Sequence, residues 1–439
     1  MVCATRRALP VPDRIFDAAP ELHAEADVER TRYRRLHPEG PSNEDSGWQY
    51  LAPIDRAIEV HDAGDIDPTA IPPRGWLLGT TFCRKFISGL VAEGAAGKTA
   101  IRYAQYLAAA TGRPLTCEPV HQRSRVLICC LEDDLDEVKR RIAAAMIHHG
   151  VTSAEVKGSL LYSTPRGLKL LQADPRLGCV VGTLYFELRE KIDKLGIDIV
   201  GIDPFVKAHG VEENDNNLID RVCIMLAELA DQFNCAIDIV SHARKGAATP
   251  GDADRDRGAS SKRDAGRLMR TVTAMSAAEA EVWGVPSEFQ RALVRVDDAK
   301  VNITPQSTSA MWFKLVGVPL GNRTTLYPNG DNVHTVERWF PPDIWAEITD
   351  VVANEILDKI DRGPEDGRRY SPAQQAKDRA AWPVVVDFCP TLTEEQAKKV
   401  IATWLANGML VQKEHVDPKD RHKKPGLFIG ERPGNKWTS

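Results

Sequence analysis

Three residues near position 98 have the types and spacing that bind a phosphate chain. Gly97-Lys98-Thr99 ends a run of small residues that joins an apolar stretch, residues 86–91, to a segment with apolar residues at helical spacing. Small residues let consecutive backbone N–H groups surround phosphate oxygens, and the N-terminus of the following helix adds its dipole. The lysine would reach the β- and γ-phosphates, and the threonine hydroxyl would hold Mg²⁺. The sequence therefore predicts a nucleotide-phosphate site.

This stretch departs from the general P-loop pattern in two places. Ala92 stands where the motif has glycine, and Glu93 puts a negative charge beside the phosphates. The alternative interpretation is a small-residue turn that caps a helix, but a strand before and a helix after favour the nucleotide site. The residues predicted to contact the nucleotide are Gly94, Ala95, Ala96, Gly97, Lys98 and Thr99.

Carboxylates follow two further apolar runs. Asp203 ends the run 199–202, where a parallel strand next to the P-loop strand would let it support a nucleotide-bound Mg²⁺ through water. Glu132-Asp133-Asp134 follows the run 125–131. Glu132 is predicted to be the base that orients or deprotonates the attacking water. Asp133 is a candidate cap for the next helix, and a solvated loop is the alternative for two of the three.

A histidine follows the predicted strand at residues 235–240. His242 is placed to sense the γ-phosphate and to pass its state to the loop beyond; the alternative is an imidazole that only satisfies local hydrogen bonds. Residues 246–256 have no core pattern and indicate a functional loop. Residues 257–267 are then very rich in cations.

Length and composition limit the classes to which this protein can belong. A chain of 439 residues with 43% hydrophobic content predicts a globular protein of two or three domains. No apolar run is long enough to span a membrane, and the basic start lacks the apolar segment of a secretory signal, so a cytoplasmic location is expected. The nine scattered cysteines indicate buried free thiols rather than a zinc site. A net charge of −5 argues against broad nucleic-acid coating but allows local basic loops that contact DNA.

Changes in pattern divide the chain into four parts. We expect an N-terminal arm and linker at 1–70, an ATPase core at 71–330, a connecting helix and linker at 331–369, and a small domain at 370–439. In the core, short β-branched strands alternate with amphipathic helices, which predicts an α/β fold with a mostly parallel sheet. The helix in the third part is expected to start at Pro341-Pro342-Asp343 and to run to about residue 360.

The last part fits a winged helix: helices near 373–388 and 393–407, strands at 409–413 and 426–430, and a basic wing tip at 421–424. Such folds bind DNA or dock proteins, and both alternatives stay open. Its predicted core residues are Trp382, Phe388, Val400, Ile401, Trp404 and Leu405.

Taken together, the motifs resemble those of the RecA-like P-loop ATPases of the plasmid RepA hexameric-helicase type. The resemblance covers roughly residues 70–320. It rests on the order of six segments: residues 92–99, 131–133, 202–204, 213–215, 242–246 and 257–267.

The resemblance implies that ATP and Mg²⁺ bind at Lys98 and Thr99, that Glu132 activates water, and that Asp203 supports Mg²⁺. It also implies that His242 senses the γ-phosphate. Arg267 is implied to be an arginine finger that reaches the nucleotide of a neighbouring subunit, with Arg257 and Arg263 as rivals. Lys300 in the later segment 294–302 would contact nucleotide or a neighbour, or is a surface lysine.

The function that follows is ATP hydrolysis coupled to movement along single-stranded DNA by a ring, expected to be a hexamer, in plasmid, phage or mobile-element replication. Loops at about 207–217 and 243–258 would line the central channel, and Lys207, Arg244 and Lys245 would contact DNA. Replication proteins are further expected partners, and no membrane is. The alternatives are an ATP-switched regulator or helicase loader that recruits DNA or protein through the winged helix, and a recombination or defence ATPase.

Overall fold

The computed structural model describes residues 60–433, apart from residues 214, 244–250, 252–261, 263–264, 308, 344 and 374–375. Most of the predicted N-terminal arm lies outside the described residues, and so do Arg244, Lys245, Arg257 and Arg263. The chain divides into two compact units, residues 1–66 with 174–180, and residues 67–173 with 181–439. In the described part of the first unit, Ala63–Asp65 forms a 3-10 turn that the side chain of Asp62 caps. The predicted site lies in the second unit.

The elements alternate as the sequence predicts. In chain order the strands are β1 (Trp76–Leu78), β2 (Phe82–Cys83), β3 (Ile87–Ala92), β4 (Val126–Cys130), β5 (Leu160–Ser163), β6 (Leu171–Asp174), β7 (Gly178–Val181), β8 (Ile199–Asp203), β9 (Ala236–His242), β10 (Leu268–Ala274), β11 (Leu293–Val301), β12 (Met311–Pro319), β13 (Asn332–Trp339), β14 (Leu410–Val416) and β15 (Lys423–Ile429). The described helices are α1 (Lys98–Thr111), α2 (Leu135–His148), α3 (Ser153–Val156), α4 (Thr183–Leu195), α5 (Asn216–Gln232), α6 (Ala277–Val282), α7 (Ser287–Gln290), α8 (Asp350–Arg362), α9 (Trp382–Phe388) and α10 (Glu394–Ala406).

Within the described residues, nine strands form one sheet in the order β13-β12-β11-β10-β3-β9-β8-β4-β5. Neighbours from β10 to β5 are parallel, whereas β11, β12 and β13 extend the sheet antiparallel from β10. Strands β3, β4 and β8 are buried along their whole length. Such burial is typical of parallel strands with helices on both faces. The protein is therefore an α/β protein with a large mixed sheet, consistent with a P-loop NTPase core.

Three details of the predicted arrangement are wrong. Strand β9 lies between β3 and β8, so Asp203 is not on the strand next to the P-loop strand. Residues 332–339, expected to be linker, form the edge strand β13, because they pair along their length with the distant β12. The helix expected to start at residue 341 begins at Asp350, where the Thr349 side chain accepts a hydrogen bond from the N–H of Val352 and caps it.

The antiparallel extension does not continue the sheet away from the P-loop. Instead β13 packs against both α1 and α2, the helices that follow β3 and β4. Strand twist accumulates across a wide sheet and lets its edge turn over the helices on one face. The Nε of Arg140 in α2 lies 3.1 Å from Oδ2 of Asp331, just before β13. At the other end of α2, Nε2 of His148 lies 3.4 Å from Oε2 of Glu337. The edge strand is thus attached to α2 near both of its ends.

Helices α8, α9 and α10 and the hairpin β14–β15 share a separate hydrophobic core. Val400, Ile401 and Trp404 are buried there as predicted. Phe388 is 38% exposed, so its place in the predicted core is wrong; it is the last residue of α9, where the chain leaves the core. Helix α8, expected to be a connector, contributes to this same core because it is amphipathic and buries its apolar face there.

The predicted wing tip is only partly a loop. Arg421 and His422 lie between the strands of the hairpin, while Lys423 and Lys424 open β15. The ammonium group of Lys424 is paired with Asp417 at 2.9 Å and with Asp420. The cationic character of this tip is therefore reduced by its own carboxylates. In the part of the chain that the structure describes, no helix has the length and apolar character needed to cross a bilayer.

Candidate nucleotide-binding site

The P-loop turn has the backbone conformation that its small residues predict. Ala95 and Gly97 have left-handed backbone, with φ of 62° and 83°. At Gly97 an added Cβ would lie 2.6 Å from Cδ2 of Leu315, so a side chain there would displace Leu315 as well as strain the left-handed backbone. Turns of this kind direct backbone N–H groups into a concave anion site, which the N-terminus of α1 completes. Ala92, the departure from the motif, is the buried last residue of β3.

Lys98 and His242 meet at the start of α1. Lys98 Nζ lies 3.1 Å from Nδ1 of His242, the last residue of the neighbouring strand β9. Since an ammonium group can only donate, Nδ1 accepts in this contact. Burial lowers the pKa of Lys98, and the carboxylates of Asp203 and Glu132 oppose that shift. The P-loop lysine is thus in direct contact with the residue predicted to sense the γ-phosphate.

Thr99, the residue after Lys98, contacts the carboxylate of Asp203 on β8, two strands along the sheet from β3. The hydroxyl of Thr99 donates a hydrogen bond of 2.8 Å to Oδ2 of Asp203, at the end of β8. Burial raises the pKa of Asp203 to about 6, against the opposing effects of this hydrogen bond and of Lys98. One hydroxyl and one carboxylate at a phosphate site are the hard oxygen donors that suit Mg²⁺, which keeps several waters and is shared with substrate phosphates. These two residues fit the predicted metal.

The three acidic residues after β4 have different surroundings. Glu132 is exposed and lines the cavity in front of Lys98. Asp133 lies with Oδ2 3.2 Å from Nε of Arg141. Asp134 caps α2 by accepting a hydrogen bond of 2.8 Å from the N–H of Glu137, so the suggestion that Asp133 is the cap is wrong. Glu132 and Asp133 both line the cavity, but Asp133 is paired with Arg141, whereas Glu132 is exposed to solvent, which is compatible with the predicted role of a base.

These groups surround a single cavity of about 760 Å³. Its size is in the range of small-molecule sites, roughly 300–1,000 Å³. Lys98, Thr99, Glu132, Asp203 and His242 all line it. Arg140 and Arg141 of α2, Leu315 of β12 and residues 331–334 also line it, and sequence reasoning missed them. They come from segments that no motif connects to the P-loop.

Residues 55–248 match the family model of the AAA domain. This stretch is similar to AAA-type P-loop ATPase domains of the RecA-like class. Domains of this family bind ATP with Mg²⁺, so the match indicates ATP binding and an ATPase. It includes the strands β1 to β9 and therefore every residue from Gly94 to His242 that the sequence predicts to contact the nucleotide, its metal or the attacking water. Strands β10 to β13 and the C-terminal domain lie beyond it.

Arg267 does not line this cavity in the described part of the chain. Its backbone N–H donates a hydrogen bond of 3.0 Å to the carbonyl of Ile87, at the start of β3. The P-loop leaves the other end of the same strand, five residues further along and roughly 16 Å away. Arg267 is exposed. Lys300 lies at the same end, opposite Met269 in the β10–β11 ladder.

The predicted DNA-contacting residues follow the site strands. Lys207 ends a 3-10 turn, Phe205–Lys207, directly after β8, and its side chain is exposed. Its carbonyl accepts a hydrogen bond of 2.6 Å from Nζ of Lys169. Arg244 and Lys245 come just after β9 and lie outside the described residues, so their prediction has no structural account.

A buried polar network behind the P-loop lysine was also missed. Arg102 in α1 and Asp238 in β9 are 1% and 0% exposed, with Nη2 of the arginine 2.8 Å from Oδ1 of the aspartate. Asp238 also accepts hydrogen bonds from Tyr106 at 2.6 Å and from Ser88 at 2.8 Å. A charged residue inside an apolar strand pattern was the available signal, since buried charges need partners.

Proposed function

We propose that this protein is an ATP-hydrolysing DNA helicase or translocase of the plasmid RepA type, which acts on single-stranded DNA as a ring in plasmid, phage or mobile-element replication. The observation that carries the proposal concerns the carboxyl ends of the parallel strands, where the nucleotide cavity and the chain segments predicted to contact DNA both begin. Groups suited to nucleotide chemistry line the cavity there, and the segments predicted to contact DNA continue from two of the same strands, β8 and β9.

In this proposal the residues of the cavity have distinct roles. Lys98 binds the β- and γ-phosphates together with the backbone amides of the P-loop. Thr99 and Asp203 would hold Mg²⁺, since their hydroxyl and carboxylate are the oxygen donors that this ion prefers. When bound, Mg²⁺ neutralises charge on the phosphate oxygens. Glu132 orients the attacking water and takes its proton.

His242 is the proposed link between the nucleotide and DNA. It contacts Lys98 through its ring, and its backbone leads directly into residues 244–250. A phosphate that draws the lysine ammonium toward itself changes the partner of the imidazole. The strand end then passes this change to the following segment. Lys207, which lies four residues beyond Asp203 at the end of β8, would respond to the same event at the neighbouring strand.

The position of Arg267 supports a shared site. In the subunit itself this arginine is at the opposite end of β3 from the P-loop, so it does not stabilise charge at its own nucleotide. An arginine supplied by a neighbour is a known means of stabilising phosphoryl transfer in related ATPases. We therefore propose a homo-oligomer, expected to be a hexamer, in which Arg267 serves the adjacent cavity.

A strand-separation assay tests the proposal most directly. A labelled forked duplex with one single-stranded tail is incubated with the full chain, Mg²⁺ and ATP, and the Lys98→Ala variant is the matched control. We expect ATP-dependent separation by the wild type and none by the variant. Hydrolysis stimulated by single-stranded DNA without separation would point to the ATP-switched loader or regulator instead. Hydrolysis without any response to DNA would contradict the proposal.

A further inference from the structure

The cavity has a second wall that the phosphate-binding residues do not explain. Leu315 of β12 contacts the P-loop so closely that a Cβ at Gly97 would overlap with it. Val336, which pairs with Leu315 across the β12–β13 ladder, is buried in one cluster with Ile101 and Ala104 of α1. The face of β13 that carries Val336 is therefore turned toward α1.

Two polar residues share that face of β13. Side chains alternate along a strand, so Asn332 and His334 project on the same side as Val336. Both are exposed, and both line the cavity. His334 lies opposite Gly317 in the ladder, and a Cβ at Gly317 would lie 2.9 Å from Oδ1 of Asn332. The glycine thus leaves room for the amide of Asn332 at the cavity wall.

Residues outside the cavity fix the position of Asp331, at the start of this wall. Asp331 is 3.1 Å from Nε of Arg140, and its Oδ2 accepts a hydrogen bond of 2.6 Å from the side-chain amide of Asn322. The backbone N–H of Asp331 donates to Oδ1 of Asn322 at 2.8 Å. These contacts connect the start of β13 to α2, the helix that begins just after Glu132. Because they fix the backbone at Asp331, the adjoining Asn332 is presented from an ordered strand end, which lowers the entropy cost of binding.

We propose that Asn332 and His334 bind the nucleoside part of ATP, so that β13 completes the nucleotide site. The inference rests on the proposed function, because it takes this cavity to be the nucleotide site. Lys98 and Thr99 already serve the phosphate end, and contacts to phosphate carry no information about the base. An asparagine amide both donates and accepts, as the polar edge of adenine requires. Leu315 adds the apolar surface that a base or ribose needs beside its polar contacts.

Binding of two ligands separates this proposal from the proposed function. Calorimetry measures the affinity of magnesium-ATP and of magnesium tripolyphosphate, which lacks the nucleoside, for the wild type and for Asn332→Ala and His334→Ala. We expect each variant to bind ATP about tenfold more weakly, the loss of one good hydrogen bond, and to bind tripolyphosphate as the wild type does. Asn302→Ala, at an exposed asparagine beyond the end of β11, is the matched control and should bind both ligands normally.

The results that would contradict the role of β13 differ from those that would contradict the proposed function. Unchanged ATP affinity in both variants, or equal losses for ATP and tripolyphosphate, would overturn the role of β13 and leave the phosphate site standing. If Lys98→Ala binds both ligands as tightly as the wild type, the cavity is not the nucleotide site and the proposed function fails with it.

Discussion

Arg102 and Asp238 form a fully buried ion pair one helical turn behind the contact between Lys98 and His242. Lys98 and Arg102 are four residues apart and lie on the same face of α1. His242 and Asp238 are also four residues apart, on the same side of β9. Two parallel contacts therefore join the P-loop helix to the strand of the predicted sensor. The buried pair fixes the spacing at which the lysine and the imidazole can meet.

We predict that Asp238→Asn strongly destabilises the protein. The neutral amide leaves the guanidinium of Arg102 buried without its counter-charge, and breaking a buried pair in this way costs about 3–5 kcal/mol. Chemical denaturation measures the free energy of unfolding. Asp231→Asn is the matched control, because Asp231 pairs with Lys85 at 3.2 Å on the surface, where a pair contributes about 1 kcal/mol or less. Equal losses in the two variants would show that the buried pair has no special role.

Two variants should separate binding from chemistry. Lys98→Ala removes the cation at the phosphates, so we expect loss of both tight ATP binding and hydrolysis. Glu132→Gln keeps the shape of an exposed side chain at the cavity, so ATP should still bind while turnover falls by a factor of order 10² or more. Calorimetry and a phosphate-release assay measure the two effects. Asp134→Asn, at the cap of α2, should hydrolyse ATP normally; if Glu132→Gln loses ATP binding instead, the carboxylate has a metal-binding or structural role.

The sequence allows prediction of those parts of the site that depend on local pattern. Each strand that carries a site residue is an apolar run followed at once by a polar group, so the ends of β4, β8 and β9 were located to within two residues. The P-loop turn was predicted from its small residues and from Lys98 and Thr99. In these cases the signal is contained in about ten consecutive residues.

The parts that were missed depend on contacts between distant segments. Nothing local to β9 indicates that it lies between β3 and β8. Asn332 and His334 have no motif, and they reach the cavity only because β12 and β13 turn over α1. Arg102 and Asp238 are 136 positions apart in the numbering, so their pairing follows from the packing of α1 on the sheet and not from either segment alone.

We expect a buried histidine after β8 to make the fold sensitive to acid. His209 is 4% exposed and its Nδ1 lies 3.1 Å from the carbonyl of Val211. Burial lowers its pKa from 6.5 to about 4, and the charges of Lys262 and Lys169 act in the same direction. The unfolded chain thus binds a proton below pH 6.5 that the folded chain does not. Stability from this group is fully present above pH 6.5 and is lost as pH falls toward 4.

This loss should amount to about 2 kcal/mol at pH 5. Denaturation at pH 7 and pH 5 measures it, and His209→Gln should show a correspondingly smaller fall in the free energy of unfolding between the two. His121→Gln, at an exposed histidine, is the control and should keep the wild-type pH dependence. If His209→Gln also keeps it, the acid sensitivity has another source.

Salt dependence tests the DNA contacts predicted beyond β9. If Arg244 and Lys245 neutralise phosphates, replacing both with alanine should reduce the slope of log affinity against log salt for single-stranded DNA by about 1.4, or 0.7 for each contact. The same variant should lose DNA stimulation of its ATPase activity. Fluorescence anisotropy over a range of salt concentrations measures the slope. Substituting Arg421 and His422 at the hairpin of the C-terminal domain gives the comparison, and an effect only there would move the DNA site to that domain.

The last prediction concerns Arg267, at the end of β3 that lies away from its own P-loop. If this arginine serves the cavity of a neighbour, Arg267→Ala should keep ATP affinity close to normal, because the cavity of each subunit is intact. Turnover should nevertheless fall by about 10³-fold or more, as for arginine fingers in general.

Mixing the inactive variants distinguishes a shared site from a self-contained one. Where an Arg267→Ala subunit with an intact Lys98 meets a Lys98→Ala subunit with an intact Arg267, one complete site forms at their interface. We therefore expect mixtures to recover part of the hydrolysis that each variant lacks, with a maximum at intermediate ratios. Two defects within one self-contained site could not compensate each other in this way. Co-purification through a tag on one variant verifies that mixed assemblies form, and mixed assemblies without recovered hydrolysis would exclude Arg267 as the finger.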